Sequence, residues 1–158
     1  MITQRSRYAL KALIRLARSG RNESVRTREI AETEGIPQAF LEQIMLDLKR
    51  ARLVSSKRGR EGGYVLAMDP HQMTLATILR QIDGPVAPLQ CLSKTAYQRC
   101  EDCIDEGACA LRHIFAETHE ATLSVLEKRT MADAIALADF HSSEKGAFGA
   151  DVFAGAFI

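Results

Sequence analysis

The stretch TREIAETEGIPQAFLEQIMLDLKRARLVSSKRGREGGYVL, residues 27–66, decides the fold. Its first part is a short helical pattern that stops at Gly35, and Ile36-Pro37 then opens an amphipathic pattern. Glycine commonly follows the last turn of a helix, and proline suits the first helical position. We therefore predict helices over about 28–34 and 37–51. Two short helices broken by a glycine turn, the second one amphipathic, are typical of a helix-turn-helix.

The second of these predicted helices has an apolar and a polar face. Its apolar positions recur at helical spacing and are expected to be buried: Phe40, Leu41, Ile44, Met45 and Leu48. The other side carries Gln38, Glu42 and Gln43. A helix fits the major groove of DNA, where Glu42 could accept a hydrogen bond from a cytosine amine and Gln43 could pair with adenine. These three side chains are our candidates for reading bases.

A basic, glycine-rich loop follows the predicted helix-turn-helix. The β-prone runs 53–57 and 64–66 flank RGREGG, which is too long for a two-residue turn, so the pattern predicts a β-hairpin. A basic hairpin directly after a helix-turn-helix is a wing. Arg58 and Arg60 on this wing could enter a narrow, A·T-rich minor groove, which attracts arginine. We therefore predict a mainly α-helical winged helix-turn-helix domain with a small β-hairpin over residues 1–83.

The second half of the chain is predicted to hold a long helix with a heptad-like seam. A long helical pattern over about 109–128 carries apolar or small side chains spaced three and four residues apart, which is the spacing of a coiled-coil seam. The seam positions are Leu111, Ile114, Thr118, Ala121 and Val125. Residues 84–140 are thus expected to form a sensor loop, this helix and a short helix near 131–139. The remainder, 141–158, is expected to be a mobile tail.

Charge is distributed unevenly along the 158 residues, although the net charge is only +1. Residues 1–60 hold 14 Lys and Arg against 6 Asp and Glu, a net of +8, whereas residues 61–158 hold 7 against 14, a net of −7. A strongly basic segment indicates a polyanionic surface such as DNA, because cations offset the phosphate charge. Four basic residues of the predicted first helix, over about 6–19, are candidates for phosphate contacts: Arg7, Lys11, Arg15 and Arg18.

Other classes of protein are disfavoured by composition. The apolar runs are only a few residues long, so we expect no transmembrane helix and no membrane partner. The first residues lack an apolar signal core, which favours a cytoplasmic protein. No serine–histidine or paired-carboxylate constellation stands out, and we expect no enzymatic activity. A dithiol oxidoreductase remains a remote alternative, since such thiols normally lie near a βαβ unit that this chain lacks.

All four cysteines fall within one short segment, spaced Cys91-x8-Cys100-x2-Cys103-x5-Cys109. In a reducing compartment, clustered cysteines favour metal ligands or redox thiols over structural disulfides. Iron–sulfur clusters and zinc both use thiolates, and the spacing alone does not separate them. Acidic residues interleave the cysteines, and we expect them to hold the loop open by repulsion and to oppose thiolate formation. An activated cysteine pair acting without metal is a further alternative.

Three stretches resemble the Rrf2-type winged helix-turn-helix transcriptional regulators, the family of IscR, NsrR and RirA. They are SRYAL (6–10), IPQAFLEQI (36–44) and VSSKRGREGGY (54–64), and the similarity covers about residues 1–139. The resemblance implies a homodimer, joined through the helix at about 109–128, on double-stranded DNA with a partly palindromic operator. It also implies base contacts for Glu42 and Gln43 and a minor-groove contact for Arg58.

The resemblance bears on the cysteines as well. Cluster-binding members use three cysteines, the last two separated by five residues, which implies Cys91, Cys103 and Cys109 as ligands of a [2Fe-2S] or [4Fe-4S] cluster. The fourth ligand would be Cys100, which is extra to the family pattern, His113 or a carboxylate. We therefore expect a regulator, with repression as one mode, that senses cluster status, iron, redox or nitrosative stress. A regulator that responds through thiols or a small molecule, without a cluster, is the alternative.

Overall fold

The computed structural model describes residues 2–20, 23–60 and 62–144. Helices dominate, as predicted, and one antiparallel hairpin interrupts them. In chain order the elements are α1 (Gln4–Arg18), α2 (Thr27–Glu34), α3 (Gln38–Arg50), β1 (Val54–Lys57), β2 (Gly63–Leu66), α4 (Leu75–Asp83), α5 (Ala110–Lys128) and α6 (Met131–Glu144). Short 3₁₀ turns lie at Pro70–Gln72 and Gln90–Leu92. The predicted class, a mainly α-helical fold with a β-hairpin wing, is confirmed.

Local sequence signals set the turn between α2 and α3. Gly35 ends α2 in the left-handed conformation, with φ of 65°, which glycine adopts without a steric penalty. Lys11 of α1 donates from Nζ to the Glu34 carbonyl oxygen at 2.8 Å and so satisfies a free acceptor at this helix end. Pro37 is the N-cap of α3 and not its first helical residue, so that boundary was predicted one residue too early.

The core lies between α1, α2 and α3 and extends under β1 and α4. Its largest fully buried side chains come from several elements, with Met131 contributed by α6: Leu13, Leu16, Ile30, Leu41, Ile44, Met45, Leu48, Met73, Ile78 and Met131. Four of the five α3 positions predicted to be buried are buried. The fifth, Phe40, is 41% exposed and meets the Tyr8 ring edge-on, with centroids 5.9 Å apart. Phe40 lies in the first turn of α3, which is not covered by the core.

The wing has a third strand-like segment that was not predicted. β1 and β2 pair in register from Val54 with Leu66 to Lys57 with Gly63. Val25 then bridges to Tyr64 on the outer edge, through backbone hydrogen bonds of 3.0 and 2.8 Å. A Cβ at Gly63 would lie 2.5 Å from the Val25 carbonyl oxygen, so only glycine allows this approach. The hairpin is therefore fastened to the segment before α2.

Backbone hydrogen bonds join α4 to the α5–α6 junction. The Leu75 amide donates to the Arg129 carbonyl at 2.9 Å, and the Met131 amide donates to the Met73 carbonyl at 2.8 Å. An ion pair between Arg18 and Asp139 ties α6 to α1. Helix α6 continues to Glu144, so the helix end predicted near 139 was too early. The rest of the predicted tail, 145–158, lies outside the described residues.

Helix α5 turns one face inward and leaves the other uncovered. His119 and Leu123 are its buried residues and face the rest of the chain. The predicted seam lies on the other side, where Leu111, Ile114 and Val125 are exposed by 61%, 63% and 56%. The chain by itself thus leaves this apolar stripe in solvent. No helix among the described residues combines the length and apolarity needed to cross a membrane.

Candidate DNA-binding face and cysteine loop

The three base-reading candidates share one exposed face of α3. Gln38 donates from Nε2 to Glu42 Oε1 at 2.9 Å, as expected for side chains four residues apart on a helix. Gln43 lies beside them and is also exposed. Lys49 at the far end of α3 donates to Ser56 Oγ of β1 at 2.7 Å. The polar face of α3 therefore runs directly into the wing.

The wing presents its arginines to solvent. Arg58 and Arg60 are exposed, and neither makes an ion pair within the part of the chain that the structure describes. The guanidinium of Arg26, just before α2, donates to the Arg60 carbonyl oxygen and holds the tip of the loop. The turn itself closes through a 2.9 Å hydrogen bond from the Gly62 amide to the Gly59 carbonyl. Arg26 is a residue that sequence reasoning missed, because its partner lies 34 positions away.

The basic stripe of α1 is largely engaged inside the protein. Lys11 pairs with Glu34 at 3.6 Å, Arg15 pairs with Glu29 at 2.9 Å, and Arg18 pairs with an α6 carboxylate. Arg7 donates to Gln4 and its guanidinium carbon lies 5.9 Å from the Tyr8 ring centroid. Carboxylates 14 or more positions along the chain supply these partners. The stripe thus serves to position helices, and Arg7 is its member without an ion pair among the described residues.

The four cysteines come from one loop and its two flanking elements. Cys91 lies in the 3₁₀ turn Gln90–Leu92, which packs against α5, and it is 5% exposed. Cys100 and Cys103 are half-buried in the loop, with the Cys103 amide 3.3 Å from the Cys100 carbonyl. Cys109 is the N-cap of α5. All four are free thiols.

Side-chain contacts hold this loop together, contrary to the prediction that its acidic residues keep it open. Arg99 donates to the carbonyl oxygens of Cys103 and Ile104, both at 2.9 Å. Tyr97 donates from its hydroxyl to Glu106 Oε1 at 2.7 Å, and Asp105 accepts from the Gly107 amide at 2.8 Å. Two of the interleaved acids therefore act as acceptors within the loop, and an arginine closes it.

The surroundings of the two central thiols raise their pKa. For Cys100 the largest cause of the raised pKa is loss of solvent, with further contributions from Cys91 and Asp102. Loss of solvent likewise raises the pKa of Cys103, with Cys109 and Glu106 as its nearest negative neighbours. The prediction that the acidic flanks oppose thiolate formation is thus supported. It also follows that all four cysteines lie close enough to influence one another.

This donor set suits a thiolate-bound cluster in its chemistry. Iron–sulfur clusters are held by cysteine thiolates, and Cys109, at the N-terminus of α5, ends a segment that carries four cysteines. His113 Nε2 lies 2.7 Å from the Gly107 carbonyl oxygen, which makes it a less available fourth ligand than Cys100. As the side chains stand, no three His, Cys, Asp or Glu groups of the described residues converge as metal ligands do. Binding would need the thiols to turn toward a common centre.

A cavity of about 380 Å³ separates α4 from α5, and its lining is mainly apolar. His119 contributes to its wall and is 6% exposed. Desolvation lowers the pKa of His119, and the nearby Lys94 and Arg80 act in the same direction. The structure makes this histidine a packing residue between α4 and α5. Arg80 and Glu127 bridge the same two helices at 2.6 Å.

Comparison with known proteins agrees with this architecture. The model of the Rrf2 family, described as an iron-dependent transcriptional regulator, matches residues 2–137. An Rrf2-like HTH-type transcriptional regulator of Rhodobacter capsulatus is 48% identical over 139 residues, covering 86% of this chain and 93% of that protein. The regulator NsrR of Oceanobacillus iheyensis is 30% identical over 128 residues, covering 81% and 84%.

A solved structure extends the likeness to three dimensions. CymR, the global cysteine regulator of Bacillus subtilis, superimposes with a TM-score of 0.72 at 31% identity, covering 87% of this chain and 97% of CymR. The winged helix-turn-helix fold and these relatives define a helix-turn-helix transcriptional regulator and not an enzyme. The chain belongs to the Rrf2 family.

Proposed function

We propose that this regulator is a cytoplasmic homodimer that binds partly palindromic operators and senses the state of an iron–sulfur cluster in its cysteine loop. One observation carries the proposal: four free thiols gather beside α5, the helix whose apolar seam is uncovered. The family description, iron-dependent, supports the metal. In this proposal the chain has three parts: a DNA-binding domain over 1–83, a sensor and dimer region over 84–140, and a tail over 141–158.

The residues that would hold the cluster are Cys91, Cys103 and Cys109, with Cys100 as fourth ligand in preference to His113. Bound there, an iron–sulfur cluster would supply a redox-active and chemically labile centre. The protein's own part is to connect that centre to α5. Cys109 begins α5, and Cys91 lies in a turn packed on the same helix. Movement of these thiols toward a common cluster would therefore shift or reorient α5, the helix that we propose as the dimer seam.

DNA reading is assigned to Gln38, Glu42 and Gln43 on α3 and to Arg58 and Arg60 on the wing. Two copies related by a two-fold axis would place two α3 helices in successive major grooves, whose centres are roughly 34–36 Å apart. The loop can regulate only if its two states differ in affinity for DNA. A change in the packing of α5 pairs would supply that difference by moving the two winged domains relative to each other.

The cluster is tested by anaerobic isolation and reconstitution. We expect a coloured protein with bound iron and sulfide, and loss of both in Cys91→Ala, Cys103→Ala and Cys109→Ala. Cys100→Ser should change the visible spectrum, whereas His113→Ala should leave it as in the wild type. Ser124→Ala, on the exposed side of α5, serves as the control. A colourless, iron-free wild-type protein after anaerobic reconstitution would remove the cluster from the proposal.

The DNA contacts are tested by titrating operator variants at fixed salt. Gln43→Ala should relax the preference at one base pair by about 1–3 kcal/mol. Arg58→Ala should weaken binding mainly where the wing meets an A·T-rich minor groove, because that groove attracts arginine. Lys128→Ala removes a positive charge at the far end of α5. It should leave unchanged both the base preference and the binding at A·T-rich wing contacts. Equal losses on all DNA sequences for Gln43→Ala would contradict its assigned role.

A regulator that responds through thiols without a cluster is the second candidate. Two observations favour it: Cys91 contributes to the raised pKa of the Cys100 thiol, and the chain is similar to CymR, the global cysteine regulator of Bacillus subtilis. Operator binding by iron-free protein that changes on thiol oxidation would support this candidate over the first.

A further inference from the structure

A leucine lies in the middle of the face of α3 that points away from the core. Leu46 is 41% exposed, and the buried residues of the same helix are Leu41, Ile44, Met45 and Leu48. At about 3.6 residues per turn, Leu46 lies within roughly 30° of the direction opposite to these four. A single exposed leucine is ordinary on a protein surface, so the surroundings of Leu46 decide whether it has a function.

Leu46 lies between two candidates for reading bases. Glu42 and Gln43 are exposed and precede Leu46 by four and three residues, which makes them its neighbours on the helix surface. Gln38 donates to Glu42 along one edge of this face. Ala39 lies seven residues before Leu46, on the same line along the helix, and is exposed as well. The face therefore has polar groups along both edges and apolar atoms along its middle.

The long cations beside Leu46 are held aside by other groups. Lys49 donates from Nζ to Ser56 Oγ at 2.7 Å and so leans toward the wing. Arg50 pairs with Asp47 at 3.2 Å, Nη1 to Oδ1. Leu46 thus stays open to a molecule that approaches α3 from outside. In the major groove of DNA, thymine presents its 5-methyl group beside hydrogen-bonding base edges, which matches this arrangement of apolar and polar atoms.

We propose that Leu46 packs against the 5-methyl group of a thymine in the major groove, so that the regulator prefers T·A at one position of each half-site. The inference deepens the proposed function and rests on it, because it takes α3 as the helix that reads bases. Three residues of helix rise by about 4.5 Å, and neighbouring base pairs are about 3.4 Å apart. The thymine should therefore lie about one or two base pairs from the base pair that Gln43 reads.

Replacing thymine by deoxyuridine tests the contact, because this exchange removes only the methyl group. An operator is first selected from random DNA duplexes by the full-length protein, in its metal-free and in its reconstituted form. Each thymine of the selected operator is then replaced in turn, and binding is titrated at fixed salt. We expect one position per half-site at which the exchange weakens binding by about fourfold, the effect of one buried methyl group.

Variants of Leu46 assign that sensitivity to its side chain. Leu46→Ala should bind the thymine operator more weakly by about fourfold or more, and should no longer respond to deoxyuridine at that position. Leu46→Met keeps an apolar side chain of similar volume and should retain the response. Leu137→Ala is the matched control, because Leu137 is 50% exposed on α6, and it should behave as the wild type. Thermal unfolding checks that all three variants fold.

Three results would overturn the proposal. If the wild type and Leu46→Ala respond equally to every deoxyuridine exchange, the methyl groups act through DNA shape and not through Leu46. If Leu46→Ala loses affinity equally on all DNA sequences, Leu46 contacts sugar or phosphate. If Leu46→Ala binds and discriminates as the wild type does, Leu46 is an exposed leucine without a role in DNA binding.

Failure of this inference and failure of the proposed function are distinguishable. If no duplex sequence is enriched in either form of the protein, base reading by α3 is wrong, and the contact of Leu46 falls with it. If an operator is enriched and Gln43→Ala relaxes its preference, but Leu46→Ala keeps the response to deoxyuridine, only the contact of Leu46 is wrong. A response that depends on Leu46 but lies about four or more base pairs from the Gln43 position would also overturn the proposal.

Discussion

Replacing Ile114 by aspartate is expected to convert the protein to monomers and to weaken operator binding by about 100-fold or more, which corresponds to ~2.7 kcal/mol. Ile114 lies in the exposed α5 stripe, with 63% of its surface accessible, so the single chain loses little internal packing. In the proposed dimer, two such carboxylates would meet in an apolar seam, where an unpaired charge is strongly disfavoured. A monomer contacts one half-site and loses the gain from the second.

Analytical ultracentrifugation and operator titration measure the two effects of Ile114→Asp. Ile104→Asp is the matched control, because Ile104 is 96% exposed and lies in the cysteine loop away from the seam. It introduces the same charge and should remain dimeric with wild-type affinity. Dimers of Ile114→Asp at wild-type stability would show that α5 is not the seam, whatever the family resemblance implies.

Gly63→Ala is expected to lower the free energy of unfolding by about 2–3 kcal/mol and to abolish the wing's contribution to DNA binding. The new methyl carbon would lie 2.5 Å from the Val25 carbonyl oxygen and 2.7 Å from its carbon, both backbone atoms that cannot rotate away. The two hydrogen bonds between Val25 and Tyr64 would therefore have to open. Urea unfolding followed by circular dichroism measures the loss.

Gly107→Ala is the control for this change. A Cβ there would meet only side-chain atoms of Asp105, the nearest at 3.3 Å. Its effect should stay within about 0.5 kcal/mol, as for most surface substitutions. Gly63→Ala with wild-type stability and wild-type operator affinity would mean that the edge contact at Val25 does not fasten the wing.

Periodic segments of the sequence predicted most of the fold. The α3 face and the seam of α5 follow from apolar residues spaced three or four apart, and the wing follows from two β-prone runs around a glycine-rich loop. All three are local patterns in the sequence. Val25 escaped because a single residue bridging to Tyr64 has no period of its own. Phe40 was placed in the core by spacing alone, but α3 is only covered from Leu41 onward. Whether a residue at the end of an element is buried depends on contacts with elements far away in the sequence.

The candidate site was predictable in composition but less so in its connections. Spacing singled out the four cysteines, and the loop indeed gathers them. Sequence proximity favoured Cys100 with Cys103, whereas the structure also folds the segment back so that the Gln98 amide meets the Gln90 carbonyl oxygen, beside Cys91. The mutual repulsion expected of the acids failed for a related reason. Arg99 and Tyr97 supply hydrogen-bond partners whose position depends on the loop's three-dimensional path.

The two backbone hydrogen bonds between α4 and the α5–α6 junction have a mechanical consequence. Because of these bonds, we expect the winged domain and α5 to rotate together as one rigid body. With 19 residues, α5 is roughly 28 Å long at 1.5 Å per residue, so a tilt of about 5° displaces its far end by roughly 2.5 Å. That is close to the 3.4 Å step between neighbouring base pairs. In the proposed dimer, the distance between half-sites would thus determine operator affinity together with the base sequence.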